Sequence, residues 1–161
     1  MASPQAKTGG CQCGNIRYEL KGAPQMLYIC HCTDCQKQSS SAFGMSLMMN
    51  PRDIDFSRSK KQVQTWDTRG ENGFIKRCAF CPDCGTRIMH GSEDPDESVS
   101  IKAGSLDDTG GLQPVAHIWL RSAQSWIQID RDRYHCFDEE PDNEDELRRL
   151  WQSQTSPCDD R

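Results

Sequence analysis

The sequence predicts an all-β fold, and three observations carry that reading. Apolar residues come in short runs, some alternating with polar ones, which is the period of a strand. Glycine, proline and asparagine interrupt these runs at close intervals. No strand–helix alternation is present that would build a doubly wound sheet.

Taken in order, Ile16, Tyr18 and Leu20 alternate with polar neighbours and predict the first strand. Residues 26–29, 42–49, 63–66, 74–80, 87–90, 99–103, 116–120 and 126–129 read as further strands. Gly22-Ala23-Pro24, Asn50-Pro51, Gly70, Gly91, Gly104 and Gly110-Gly111 separate them. One helix is expected near the end of the chain. Asp142 or Asn143 can cap it, Glu144, Asp145 and Glu146 occupy its first turn, and Arg148 and Arg149 follow, an order that suits the helix dipole. Leu147, Leu150 and Trp151 give it a narrow apolar stripe that fits docking on the domain body or on a partner chain, so a homodimer stays open.

The 161 residues suit one domain by length, but only 35% are hydrophobic and the mean hydropathy is −0.79. Metal crosslinks would compensate for so thin a core. The net charge of −5 is concentrated at one end: nine acidic residues and three arginines lie from Asp138 onward, against fifteen acidic and sixteen basic before it. The predicted organisation is therefore a flexible N-terminus over residues 1–7, a zinc-binding domain over 8–137 and an acidic tail with a short helix over 138–161. With no basic excess in the body, nucleic acid is not an expected partner. Neither a membrane-length apolar run nor a secretory leader is apparent, so the expected location is cytoplasmic. Phosphate-binding loops, dinucleotide fingerprints and serine-nucleophile elbows are absent.

Seven of the ten cysteines form three clusters. Cys81-Pro82-Asp83-Cys84-Gly85 is a knuckle that aims two sulfurs at one ion and needs a second pair. Cys11 and Cys13, flanked by Gly9-Gly10 and Gly14, are the natural partners, giving a four-sulfur structural zinc site that closes a long loop. Cys30-His31-Cys32-Thr33-Asp34-Cys35 offers three more sulfurs. Three protein ligands plus an exchangeable position is the usual arrangement of a catalytic zinc. On an extended backbone His31 would point away from its cysteine neighbours. A fourth ligand from Cys78, Cys136, Cys158 or a histidine would make this site structural instead. Cys78 also allows a Cys78-x-x-Cys81-x-x-Cys84 set, although a buried free thiol is the commoner state. Cys136 and Cys158 read as inert thiols.

Gly9-Gly10-Cys11-Gln12-Cys13-Gly14, with Ile16-Arg17-Tyr18, then Cys30-His31-Cys32-Thr33-Asp34-Cys35-Gln36-Lys37, Ser41-Ala42-Phe43 and Phe80-Cys81-x-x-Cys84-Gly85-Thr86 resemble the glutathione-dependent formaldehyde-activating enzyme family, whose superfamily includes centromere protein V. The resemblance spans roughly residues 8–130. It implies a β-tent of antiparallel sheets, a structural zinc on Cys11, Cys13, Cys81 and Cys84, and a labile catalytic zinc on Cys30, Cys32 and Cys35. It implies a carbon–sulfur lyase or synthase that forms S-hydroxymethylglutathione from formaldehyde and glutathione. One departure is visible. The family often has Ser-Gly-Ser after the lysine, where this chain has Ser39-Ser40-Ser41; if that position takes a positive φ, Ser40 alters the pocket mouth.

The expected partners are thus a glutathione-like thiol and an aldehyde. Carboxylates on the thiol call for cations, and Lys37, Arg17, Arg69, Arg77, Arg87 and Arg121 are the candidates. His31, Asp34 or a water are candidates for proton transfer. Trp66, Trp119 and Trp126 read as core residues, His117 as a sheet residue, and His90 as a non-ligand. A thiol carrier without catalysis and a zinc-stapled interaction module are the competing functions.

Overall fold

The alternation at Ile16, Tyr18 and Leu20 does build a strand, Arg17–Leu20, with Tyr18 and Leu20 buried. The computed structural model describes residues 7–70 and 73–155. The expected flexible start before Lys7, the thiol of Cys158 and the chain beyond Thr155 lie outside the described residues. The chain divides into two units.

The first unit comprises the chain up to Pro24 together with Ser46–Leu112. In it β1 (Lys7–Gly10), β2 (Arg17–Leu20) and β5 (Ile54–Asp55) form an antiparallel sheet in the order β1-β2-β5. A second antiparallel run, in the order β4-β9-β8-β7-β6, links β4 (Gly44–Met49, from Ser46 on), β9 (Val99–Lys102), β8 (Arg87–Gly91), β7 (Ile75–Phe80) and β6 (Gln64–Arg69). Ile16, Leu47, Met49, Cys78, Ile88 and Ile101 are fully buried here. β6 forms the outer edge and is exposed almost throughout.

Asp107 fastens the first sheet. Its carboxylate accepts from the Thr8 hydroxyl at 2.6 Å and from both terminal nitrogens of Arg17, while its N–H donates to the Thr8 carbonyl at 2.9 Å. The Arg17 hydrogen bond, and then that of Thr8, hold the Asp107 carboxyl down at about 2.

The second unit comprises Gln25–Met45 and the chain from Gln113 onward. Here β3 (Met26–Cys30), β10 (Ala116–Ile118) and β11 (His135–Cys136) pair in parallel, with Ala116 opposite Tyr28, His117 opposite Ile29 and Ile118 opposite Cys30. Helix α1 (Thr33–Ser39) follows β3 directly, and α2 (Glu144–Thr155) packs on β3. As expected, α2 is capped by Asn143, whose side-chain oxygen accepts from the N–H groups of Asp145 and Glu146 at 3.1 and 3.3 Å. Leu147 and Trp151, one turn apart, are its buried pair, and Leu150 is half-buried.

These findings correct the expected fold class. The architecture is mixed α/β with open sheets, not an all-β β-tent. Two causes account for the difference. The α1 segment is seven residues long with one buried side chain, Cys35, so it carries no apolar period to read. Parallel pairing of β3 with β10 joins segments far apart in sequence, and no turn chemistry announces it. Residues 126–129 form no strand. Trp119 is buried as expected, but Trp66 and Trp126 are 54% and 69% exposed and do not serve the core.

Leu147→Ala is expected to destabilise the second unit by about 2–5 kcal/mol, measured by denaturant unfolding. Asp107→Asn tests the carboxylate clasp. A carboxyl depressed in the folded state adds stability that is present above its unfolded pKa near 4 and is lost as pH falls through about 2. With Asp107 partly exposed, the variant should lose no more than about 1 kcal/mol at neutral pH and show a flatter stability profile between about pH 4 and 2.

Candidate metal centres

Two tight turns bring four sulfurs together in the first unit. After β1 the chain turns through Cys11 to Ile16, with the Cys11 N–H donating to the Ile16 carbonyl at 3.0 Å and the Gly14 N–H to the Cys11 carbonyl at 3.0 Å. After β7 the knuckle repeats that geometry: the Cys81 N–H donates to Thr86 at 2.9 Å and the Gly85 N–H to Cys81 at 3.0 Å. Gly14 and Gly85 take φ values of 79° and 73°, which side-chain-bearing residues adopt at a cost. Asp83 ties the two turns together, accepting from the Asn15 amide at 2.7 Å and from Lys61 at 2.6 Å.

The ligand atoms of Cys11, Cys13, Cys81 and Cys84 all lie within 4.8 Å of one another. Cys11 and Cys13 sulfurs are 3.5 Å apart, Cys13 and Cys81 sulfurs 3.7 Å. Sulfurs about 2.3 Å from a tetrahedral zinc stand about 3.8 Å from one another, so this donor set fits that ion. Backbone and hydroxyl donors reach two of the sulfurs. The Ile16 N–H donates to the Cys11 sulfur at 3.1 Å. The Thr86 hydroxyl, 3.2 Å from the Cys84 sulfur, and the Thr86 N–H bring that thiol down to about 5. Cys13 is pulled down by the N–H of Asn15, but the neighbouring Cys11 sulfur and the other members of the group outweigh this and push it up to about 12. Four thiols at this spacing cannot all ionise without a cation among them.

The second group occupies the second unit. Cys30 ends β3, Cys32 is the N-cap of α1, and Cys35 sits in the helix's first turn. The Cys32 sulfur accepts from the Cys35 N–H at 3.4 Å, a sulfur version of an oxygen cap. All three are buried, and their sulfurs also lie within 4.8 Å of one another. Hydrogen bonding to Cys32 and Cys35, then burial, drives the Cys30 thiol far above its usual range. Three soft sulfurs fit zinc. Among the described residues no fourth ligand joins them.

The alternatives left open by the sequence lie elsewhere. Cys78 is fully buried in β7, outside both groups. Cys136, on β11, approaches the Tyr134 carbonyl at 3.4 Å. His31 is fully buried and its Nε2 stands 2.9 Å from Nδ1 of His117, with the rings stacked. Burial brings His31 down to about 4, helped by His117, and lowers His117 as well, so both are neutral at pH 7. Gln36 escaped sequence reasoning. Its amide donates to the His31 carbonyl at 2.7 Å and to the Ser122 carbonyl at 2.9 Å, bracing the cysteine loop against a distant turn. Nothing but its place next to Cys35 could have signalled that role.

The sequence model of the glutathione-dependent formaldehyde-activating enzyme matches residues 6–122. The chain belongs to that family. No curated protein matches it in sequence. Among solved structures, that of a Rhodobacter sphaeroides protein is similar at a TM-score of 0.48 and 18% identity, covering 66% of this chain and 91% of the other.

The cations expected to serve this family's thiol substrate are mostly engaged. Arg17 pairs with Asp107, Arg77 with Asp67 and Glu93, Arg121 with Glu139, and Arg69 donates to the Gly73 carbonyl at 2.5 Å. Lys37 has no carboxylate partner among the described residues. No described helix is long and apolar enough to cross a membrane.

Cys11→Ser should remove one equivalent of zinc and lower the melting temperature of the first unit. Cys32→Ser should remove a different equivalent and leave that transition in place. Metal analysis and calorimetry on the two purified variants would check both statements.

Proposed function

We propose that this chain is a zinc-dependent carbon–sulfur lyase or synthase acting on thiol–aldehyde adducts, with formaldehyde and glutathione as the model pair. The observation that carries this reading is the buried trio of Cys30, Cys32 and Cys35 with no fourth protein ligand among the described residues. The four-sulfur group is a closed set and suits a structural ion.

Zinc on the trio would supply an exchangeable position that favours a substrate thiol in its thiolate form. In the forward direction the substrate sulfur's electron pair forms the carbon–sulfur bond. The carbonyl π pair moves to oxygen, and that oxygen takes up a proton to replace the one the thiol lost. The reverse reaction breaks the same bond and returns thiol and aldehyde. The protein's own part is to hold three sulfurs in fixed geometry, through the N-cap bond at Cys32 and the Gln36 brace, and to keep bulk water away by burial. His31, within the loop, and His117 are both neutral and add no charge there.

Membership of the family and the convergence of the three sulfurs support this reading together. Exchange between formaldehyde and S-hydroxymethylglutathione, followed by NMR on protein of known zinc content, tests it. The wild-type chain should exceed the spontaneous rate, and Cys32→Ser should return it to that rate. A wild-type chain with both metals bound and no acceleration would overturn the catalytic reading in favour of a thiol carrier.

A further inference from the structure

Among the described residues β6 pairs with β7 alone and ends the strand order of its sheet. The hairpin joining the two shows which main-chain groups of β6 are engaged. The Gly70 N–H donates to the Phe74 carbonyl at 3.0 Å, and Gly73, at φ 83°, donates its N–H to the Gly70 carbonyl at 2.9 Å. The main chain at Gly70 therefore faces β7. These groups alternate in direction along an antiparallel strand, so those of Thr68, Trp66 and Gln64 face β7 too, opposite Lys76, Cys78 and Phe80. Thr65, Asp67 and Arg69 turn their N–H and C=O groups outward, where no described residue meets them.

Open edges are usually protected by proline, by lysines or by a bulge that twists the strand away. β6 contains no proline and no lysine, and it pairs with β7 without a register shift. Its two charges, Asp67 and Arg69, are of opposite sign. The hairpin is also unusually apolar for a surface. Of the large apolar side chains exposed among the described residues, Trp66, Phe74 and Ile75 all belong to it. Unpaired main-chain groups beside exposed aromatic rings are what strand addition uses.

We infer that β6 is the interface of a twofold dimer, in which two copies of this chain align their β6 edges antiparallel and continue one sheet into the other. Outward groups meet outward groups when the twofold axis falls on Trp66, Asp67 or Thr68. An axis on Asp67 sets that carboxylate against its own copy, which is destabilising. An axis on Trp66 sets Asp67 opposite Thr65 and leaves the charges unpaired across the interface. An axis on Thr68 sets Asp67 opposite Arg69 of the second copy, and Arg69 opposite Asp67, so charge complementarity selects it. The outward N–H and C=O groups of both residues then bond across the interface in both directions. Thr68 meets Thr68, a favourable cross-strand pair. Trp66 lies opposite Gly70 of the second copy, where no side chain fills the space. Beyond that glycine, on the same face, stands the Phe74 paired with it in the hairpin, and the Trp66 ring covers the gap between them.

Sedimentation of the zinc-loaded full chain over a range of concentrations tests this. The wild-type chain should show a monomer–dimer equilibrium. Arg69→Glu and Asp67→Lys should each weaken self-association about tenfold or more, because each sets like charges opposite one another. An equimolar mixture of the two variants should associate as the wild type does, since every facing pair is then of opposite sign. Asp67 and Arg69 are exposed, so both variants should keep their fold, checked by melting. Thr68→Cys provides a second reading that leaves the charges in place. Its two copies meet in a non-hydrogen-bonded pair about 4.5 Å apart at Cα, so mild oxidation should crosslink them, and Trp66→Cys should stay uncrosslinked. A wild-type chain that stays monomeric throughout, association unmoved by either charge variant, or a mixture that fails to associate would overturn the dimer. Crosslinking of Trp66→Cys in place of Thr68→Cys would overturn it as well.

Discussion

Thiolates crowded into van der Waals contact repel one another, and much of this structure is arranged around that repulsion. Cys30, Cys32 and Cys35 are each almost wholly buried and within 4.8 Å of one another. The cost is visible in Cys30, whose thiol is driven far up by its two neighbours before burial adds to the effect. A cation among them reverses the sign of every one of those interactions. The same argument applies to Cys11, Cys13, Cys81 and Cys84, where the Cys13 thiol rises to about 12 despite a donor from Asn15. For a chain only 35% hydrophobic, a strong multidentate crosslink is a more effective stabiliser than further burial.

The two groups sit in different local settings. Around the four-sulfur group, N–H and hydroxyl donors from Ile16, Asn15 and Thr86 are turned on the sulfurs, and two of the four cysteines are exposed. Donors of this kind orient thiolate sulfurs and spread their charge. In the trio the Cys35 N–H reaches the Cys32 sulfur. That contrast follows from local geometry, a pair of glycine-permitted knuckles in one case and a strand-to-helix junction in the other.

The cysteine groups were more legible in the sequence than the architecture. Cysteine spacing announces both groups because C-x-C and C-x-x-C restrict where their sulfurs can go, whatever fold carries them. Most strands of the first unit were legible too, since antiparallel neighbours follow one another through turns marked by glycine and proline. What could not be read depends on contacts between distant residues. α1 exists because Cys32 caps it and Ser40 closes it, not because its side chains alternate. The parallel pairing of β10 with β3 and β11, and with it the mixed α/β class, leaves no local trace. Trp126 was misread for a related reason: an aromatic in an apolar run looks like core until its polar tether to Gln124 is seen.

Two residues with side chains adopt the left-handed region in the described chain, Ser40 and Trp119, and both belong to the second unit. Trp119 follows the residue paired with Cys30 and opens the turn that presents the Ser122 carbonyl to Gln36. Ser40 stops α1 one turn beyond Cys35, its N–H shared between the carbonyls of Gln36 and Lys37. Each conformation costs about 1–2 kcal/mol and needs compensation. For Trp119 it comes from its N–H bond to Glu139 at 3.1 Å and from the Arg121 guanidinium, 4.7 Å from the ring. A straight continuation at Trp119 would carry the Ser122 carbonyl away from Gln36. The strain therefore lies in the two segments joined by that single amide, and the amide joins them at the carbonyl between the first two cysteines of the trio.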